Sequence, residues 1–191
     1  MSVLVLVAPG SEEIETVAIV DTLVRGGIDV VLASCCPTGA RQIRASRGVQ
    51  LVADCHLDEL TTRDFDAMVV PGGLPGSEVI RDTPLAIDLL REQAGLGRWR
   101  AAICAAPAVV LHHHGLLGNA STTCHPGFQA RLPATQLSTA RVVTDKAHRL
   151  ITSQGPGTAI EFALEIVRVL RGDEAAHAVA GPMILPPSVS P

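Results

Sequence analysis

The chain has 191 residues, 47% hydrophobic and 18% charged, with a formal net charge of −4. That balance excludes a disordered chain and suits one domain able to bury roughly 70% of its unfolded surface. Aromatic residues make up 2%, with one Trp and no Tyr, and no Lys/Arg run occurs, so neither base stacking nor a phosphate-binding groove for nucleic acid is expected.

Val3 to Ala8 is an apolar run, β-branched at Val3, Val5 and Val7, which predicts a buried parallel strand. It has no basic residue before it and Pro9-Gly10 after it, unlike a secretory signal. The longest apolar stretches fall short of the about 20 residues that span a bilayer. The five cysteines, at 35, 36, 55, 104 and 124, are odd in number and form no CxxC. Without a secretory signal they read as free thiols of a reducing cytoplasm.

Ser11 is the expected N-cap of the next helix, with Glu12 and Glu13 solvated in its first turn. The helix ends at Gly26-Gly27, and Ile28 to Ser34 forms the next strand. Pro37 to Val52 is polar, with a short strand near Val49 to Ala53. Ala67 to Val70 is a buried strand stopped by Pro71-Gly72-Gly73. A helix begins at Thr83-Pro84, with Pro at its first position, and ends at Gly95. Arg100 to Ile103 is a strand and Ala106 to His113 a helix stopped by Gly115. Arg141 to Thr144 and Leu150 to Ser153 pair around Asp145-Lys146. Ala159 to Arg171 is an amphipathic helix stopped by Gly172. Residues 1–182 read as one domain and 183–191 as a Pro-rich, loosely held tail. Alternating strands and helices predict a doubly wound, mainly parallel α/β sheet with ligands beyond the carboxyl ends of its strands.

Cys104 lies where a buried strand turns into a helix, between Ala102 and Ala105-Ala106. Small flanks allow a sharp nucleophile elbow, and the helix amino terminus favours the thiolate, with a pKa in a range of roughly 3.5–7.5. An inert buried thiol fits the same residues. Gly72-Gly73 directly after a strand lets backbone N–H groups approach an oxyanion, and also fits an ordinary tight turn. Glu15 borders the apolar helix face. Half-buried, it would have a raised pKa and serve as acid or base; otherwise it is a surface glutamate. His125, extended by Pro126, is either a proton shuttle for Cys104 or a plain loop histidine. His112, His113 and His114 point in different directions on a helix and are read as a helix end rather than a metal site. Cys35-Cys36 is read as strand-end packing.

The block Ala101-Ala102-Ile103-Cys104-Ala105-Ala106-Pro107 resembles the nucleophile elbow of the ThiJ/PfpI family, within the class I glutamine amidotransferase-like superfamily. Four further blocks agree in the same order: residues 8–15 (APGSEEIE), 46–49 (SRGV), 70–73 (VPGG) and 152–158 (TSQGPGT). The chain is most similar to the branch containing the human parkinsonism-associated deglycase and bacterial YajL. The resemblance implies a flavodoxin-like sandwich, a homodimer and a cytoplasmic enzyme without cofactor. It implies Cys104 as nucleophile, hydrogen-bonded Glu15, backbone N–H groups of Gly72, Gly73 and Ala105, nearby His125, and Arg25 and Arg47 as substrate-binding arginines at a dimer interface. The implied substrates are glyoxal, methylglyoxal and their protein or nucleotide adducts. Chaperone action and redox sensing through a cysteine sulfinate are the implied alternative. The family's protease dyad is broken, since Ala105 follows Cys104 where a histidine would stand. The late His-x-Glu of amidotransferases is missing, because Arg149 and Leu150 follow His148, and Ala178 and Val179 follow His177. Cys124, beside His125, is an extra thiol. No GxxxxGK[ST] loop supports phosphoryl transfer.

Overall fold

The computed structural model describes residues 1–61, 64–186 and 189. Seven strands form one sheet: β1 (Ser2–Val7), β2 (Asp29–Ser34), β5 (Cys55–His56), β6 (Ala67–Val70), β7 (Trp99–Ile103), β8 (Val142–Asp145) and β9 (Leu150–Ser153). Their order is β5-β2-β1-β6-β7-β9-β8. All neighbours run parallel except β8, which is antiparallel to β9. A separate antiparallel hairpin pairs β3 (Gln42–Arg44) with β4 (Gln50–Val52).

Strand alternation sorts the core into two layers. Val3, Val5, Val69, Ala101, Ile103 and Ile151 face one side, against α1 (Glu13–Arg25), α4 (Ala159–Arg171) and α5 (Asp173–Ala180). Leu4, Leu6, Met68, Val70 and Ala102 face the other. There α2 (Gly76–Arg81), α3 (Pro84–Gly95) and a six-residue π-type helical segment, Pro107–His112, cover them. The protein is a mostly parallel, flavodoxin-like three-layer sandwich.

The expected elements are present, β6, β9 and α4 with the bounds read from the sequence. Four were not anticipated: β3, β5, α2 and α5. Each is short, and α5 follows Gly172 (φ +90°), which stops α4 and lets the chain turn at once into a new helix. The cap of α1 also differs. Glu12, not Ser11, is the N-cap, and its carboxylate accepts the Glu15 N–H at 2.7 Å. The Ser11 hydroxyl turns back to accept the Ala8 N–H at 3.0 Å. In the tail, Met183 and Leu185 pack against the α1/α4 layer and Ile184 is exposed. Residues 187, 188, 190 and 191 lie outside the described residues. Among the described residues no helix is long and apolar enough to cross a membrane.

Candidate active site

Three turns converge at the carboxyl ends of β1, β6 and β7, beside the point where the strand order reverses at β1. The turn after β7 carries Cys104 at φ +63°. That left-handed conformation is strained for a side chain and marks a built elbow. Ala102, Ala105 and Ala106 pack around it, fully buried. The Cys104 N–H donates to the Ser153 carbonyl at 3.0 Å, and the Cys104 carbonyl accepts the His125 N–H at 2.9 Å. The elbow is thus tied to β9 on one side and to the His125 loop on the other.

The turn after β6 presses Gly72 against the elbow. A Cβ there would lie 2.5 Å from Cys104 Cβ and 2.9 Å from Glu15 Oε2. Only glycine lets the carboxyl and the thiol approach from either side of one backbone atom. Gly73 (φ +90°) packs on the backbone of Gly10 and Glu12, and the Glu12 N–H donates to the Gly72 carbonyl at 2.9 Å. The β1 and β6 turns therefore hold each other in place.

Glu15 sits in the first turn of α1 and is fully buried. Its Oε2 accepts the Gly72 N–H at 2.7 Å, and its Oε1 has no ordinary hydrogen-bond partner. Burial pushes its pKa up to about 7; the Gly72 N–H and the Cys104 thiol only partly offset this, and the charge of Glu12 adds to it. Cys104 is 9% exposed. Burial, the negative charge of Glu15 and its hydrogen bond push the thiol up to about 12, against smaller lowering by the Gly73 and Ala105 N–H groups. This reverses the expectation of a depressed thiol pKa. The following helical segment is too short for a strong dipole, and desolvation outweighs its N–H groups.

The other expected residues fall in different places. The Gly72 N–H is occupied by Glu15, leaving Gly73 and Ala105 as the N–H groups directed at sulfur. The His125 side chain is exposed, and its Nδ1 accepts the Gly127 N–H at 3.1 Å. Its main chain, not its ring, bonds to Cys104. Cys124 is fully buried, which pushes its thiol up to about 11. Arg25 pairs with Asp21 at 2.7 Å on the exposed last turn of α1. It stands about 15 Å along the helix from Glu15, so one chain alone does not bring it to Cys104.

Glu12 and Glu13, expected to be solvated, are each 7% exposed. Glu13 accepts from the Ser46 hydroxyl at 2.8 Å and the Arg47 N–H at 2.8 Å. Burial opposes its charge, yet these hydrogen bonds hold its carboxyl below the usual value. Glu13 thereby latches the loop bearing the exposed Arg47 onto the first turn of α1. The only sequence signal for this was the joint presence of the 8–15 and 46–49 blocks. Among the described residues no group of three His, Cys, Asp or Glu side chains is arranged to hold a metal ion.

A parallel sandwich with a strained cysteine elbow, a glycine turn and a buried glutamate defines a class of cysteine-elbow α/β proteins. The chain belongs to the DJ-1/PfpI family, whose profile matches residues 1–169. It is 41% identical over 179 residues to Protein dj-1beta of Drosophila melanogaster, covering 94% of each chain. It is 36% identical over 188 residues to the Caenorhabditis elegans protein named glutathione-independent glyoxalase DJR-1.2, covering 96% of each. Against Protein DJ-1 homolog B of Arabidopsis thaliana it is 38% identical over 187 residues, which is 97% of this chain but 42% of the plant protein. The chain thus spans less than half of that relative and nearly all of the other two. Among solved structures, oxidized Toxoplasma gondii DJ-1 superposes with a TM-score of 0.92 at 40% identity, covering 96% and 97% of the two chains. Drosophila DJ-1beta superposes with 0.89 at 40% identity, covering 97% and 98%.

Proposed function

We propose that the protein is a cofactor-free, cysteine-dependent glyoxalase-type enzyme acting on glyoxal, methylglyoxal and their adducts in carbonyl and oxidative stress defence. The observation that carries this reading is the buried Glu15 carboxyl, raised to about 7, facing the Cys104 thiol. A base with a pKa near the working pH can take a proton and return it within one turnover. The nematode relative's name points to the same chemistry.

In this mechanism ionised Glu15 takes the thiol proton as Cys104 sulfur attacks the aldehyde carbon of methylglyoxal. A C–S bond forms and the carbonyl π electrons move to oxygen, which the Gly73 and Ala105 N–H groups receive. Glu15 returns that proton to the oxyanion, giving a hemithioacetal. It then takes the proton of the aldehyde-derived carbon and delivers it to the neighbouring carbon, while the hemithioacetal hydroxyl proton passes to the ketone oxygen. The aldehyde carbon is oxidised and the ketone carbon reduced within one molecule, leaving a lactoyl thioester on Cys104. Water hydrolyses it, releasing lactate and restoring the thiol. On an amine or thiol adduct, whose aldehyde carbon is already saturated, the new C–S bond forms as the bond from that carbon to the modified nitrogen or sulfur breaks, and Glu15 passes the thiol proton to the leaving group. This deglycase branch reuses the same two side chains.

The proposal extends to a cytoplasmic homodimer in which Arg25 and Arg47 flank the pocket. Exposed Ile14, Val17 and Val24 on α1, with Val49 and Val52 of the hairpin, offer an apolar face for it. The test is product identification from methylglyoxal, without added thiol or metal and in an amine-free buffer. Lactate is expected from the wild type and none from Cys104→Ala. Equal conversion by both proteins ends the proposal.

One observation favours a second reading. Oxidized Toxoplasma gondii DJ-1 closely resembles this fold. As a redox-sensing chaperone, Cys104 would be oxidised by two equivalents of peroxide, through sulfenic to sulfinic acid, each step releasing water. Protonated Glu15 would then donate a hydrogen bond to the sulfinate. Intact mass after mild peroxide should show two added oxygens located on Cys104; oxygens spread evenly over the thiols contradict it.

A further inference from the structure

We infer that Glu12 is a positioning residue for Glu15, holding its carboxyl beside Cys104 through a closed ring of hydrogen bonds that includes Gly72. The inference rests on the acid–base reading of Glu15 proposed above. Three bonds close the ring: the Glu15 N–H donates to Glu12 Oε2 at 2.7 Å, the Glu12 N–H to the Gly72 carbonyl at 2.9 Å, and the Gly72 N–H to Glu15 Oε2 at 2.7 Å. Each residue gives an N–H and accepts another. Glu15 is therefore fixed at its backbone and at its carboxyl, from the start of α1 and from the β6 turn.

Glu12 has little freedom within this ring. It is buried. Its carbonyl accepts the Thr16 N–H at 3.0 Å and the Thr16 hydroxyl at 2.8 Å. Its nitrogen would lie 2.5 Å from a Cβ on Gly73. With Glu15 Oε2 committed to Gly72, Oε1 is the carboxyl oxygen without a hydrogen-bond partner. An oxygen left open and held in a fixed direction suits proton transfer to and from sulfur or a substrate carbon.

A helix cap alone does not require a glutamate. Asn, Asp, Ser and Thr are the favoured N-caps, and Ser11 stands just before Glu12 with its hydroxyl turned back to the Ala8 N–H. What Glu12 adds is a negative charge one helical turn from Glu15. Among the described residues, the groups acting on the Glu15 carboxyl are the Gly72 N–H from the β6 turn, the Cys104 thiol from the β7 elbow and the Glu12 carboxylate from α1. Glu13 turns instead to the Ser46 hydroxyl and the Arg47 N–H. Burial is the larger cause of the raised Glu15 pKa, and the like charge of Glu12 adds to it. The same side chain thus aims the acid–base carboxyl and favours its protonated form.

The test compares Glu12→Gln, which keeps an acceptor for the Glu15 N–H without the charge, with Glu12→Ala, which keeps neither. A carbon-13 NMR titration of the Glu15 carboxyl, assigned by its loss in Glu15→Gln, should show a midpoint near 7 in the wild type. Glu12→Gln should move that midpoint down by about half a unit or more. Hydrogen exchange of the Gly72 amide, read relative to the Ile151 amide of β9, should be about tenfold faster or more in Glu12→Ala and change much less in Glu12→Gln. In methylglyoxal turnover Glu12→Gln should shift the rising limb of kcat/KM to lower pH. Glu12→Ala should lower kcat about tenfold or more with little change in KM. An unshifted Glu15 midpoint in Glu12→Gln, or a Gly72 amide indifferent to Glu12→Ala, overturns the inference. The titration and the exchange rates need no turnover, so a wild type that forms no lactate ends the enzyme reading while these two still decide the ring.

Discussion

Glu15→Gln is expected to lower turnover of methylglyoxal by about 10²–10⁴-fold while making the fold more stable above pH 7. The two effects share one cause. Glu15 is fully buried, and its pKa stands at about 7 in the folded protein against 4.5 for the ordinary carboxyl. Between those values the folded chain holds a proton that the unfolded chain has released. Stability from this group is therefore fully present below about pH 4.5 and is lost as pH rises through 7. A gap of this size corresponds to about 3 kcal/mol. Glutamine carries no charge to desolvate and still accepts from the Gly72 N–H. Urea unfolding at pH 5 and pH 8 should show the wild type losing stability between them and the variant losing much less. In the wild type kcat/KM should rise with pH to a plateau, with a midpoint near 7, as Glu15 ionises. The variant should lack that limb. A variant with wild-type turnover, or with the same pH dependence of stability, removes Glu15 from the proposed chemistry.

Gly72→Ala is expected to abolish turnover and destabilise the fold by about 1–3 kcal/mol or more. The new methyl would meet Cys104 Cβ at 2.5 Å and both Glu15 Oε2 and the Ile103 carbonyl at 2.9 Å. Two of these three atoms belong to the elbow or to the end of β7, where the chain is already strained at φ +63°. The third, Glu15 Oε2, ends a side chain but is held in place by the Gly72 N–H at 2.7 Å. Relief requires Glu15 to leave the Gly72 N–H or the elbow to shift, and either separates carboxyl from thiol. Gly157→Ala is the matched control, since nothing lies within 4 Å of its added Cβ. Thermal unfolding and methylglyoxal turnover of both variants make the comparison. A Gly72→Ala protein that melts and turns over like wild type would show that the convergence at Gly72 is not required.

Much of this protein was legible as sequence because its signals are local. The β-branched runs specify buried strands whatever packs on them, so β6 and β9 could be bounded from residue types alone. The three-and-four spacing of apolar residues from Ala159 to Arg171 likewise specifies α4. Small residues on both sides of Cys104 mark a sharp turn, because the steric limits on that backbone act within a few residues. The family resemblance rests on five such blocks in order.

Tertiary structure decided the rest, and the reason is desolvation. Glu12, Glu13 and Glu15 are chemically alike and lie within four residues. Only the meeting of α1 with the β6 turn and the β3–β4 loop determines that Glu12 caps, Glu13 latches the Arg47 loop and Glu15 faces sulfur. The same burial drives Cys104 upward in pKa, opposite to what its place before a helix suggested. The five thiols also look equivalent in sequence, yet Cys36 is held low and Cys35 high because one faces hydrogen-bond donors and the other the core. Residue order along the chain sets strands, helices and the elbow. Which polar groups lose their water, and which partner replaces it, is set only when segments distant in sequence meet.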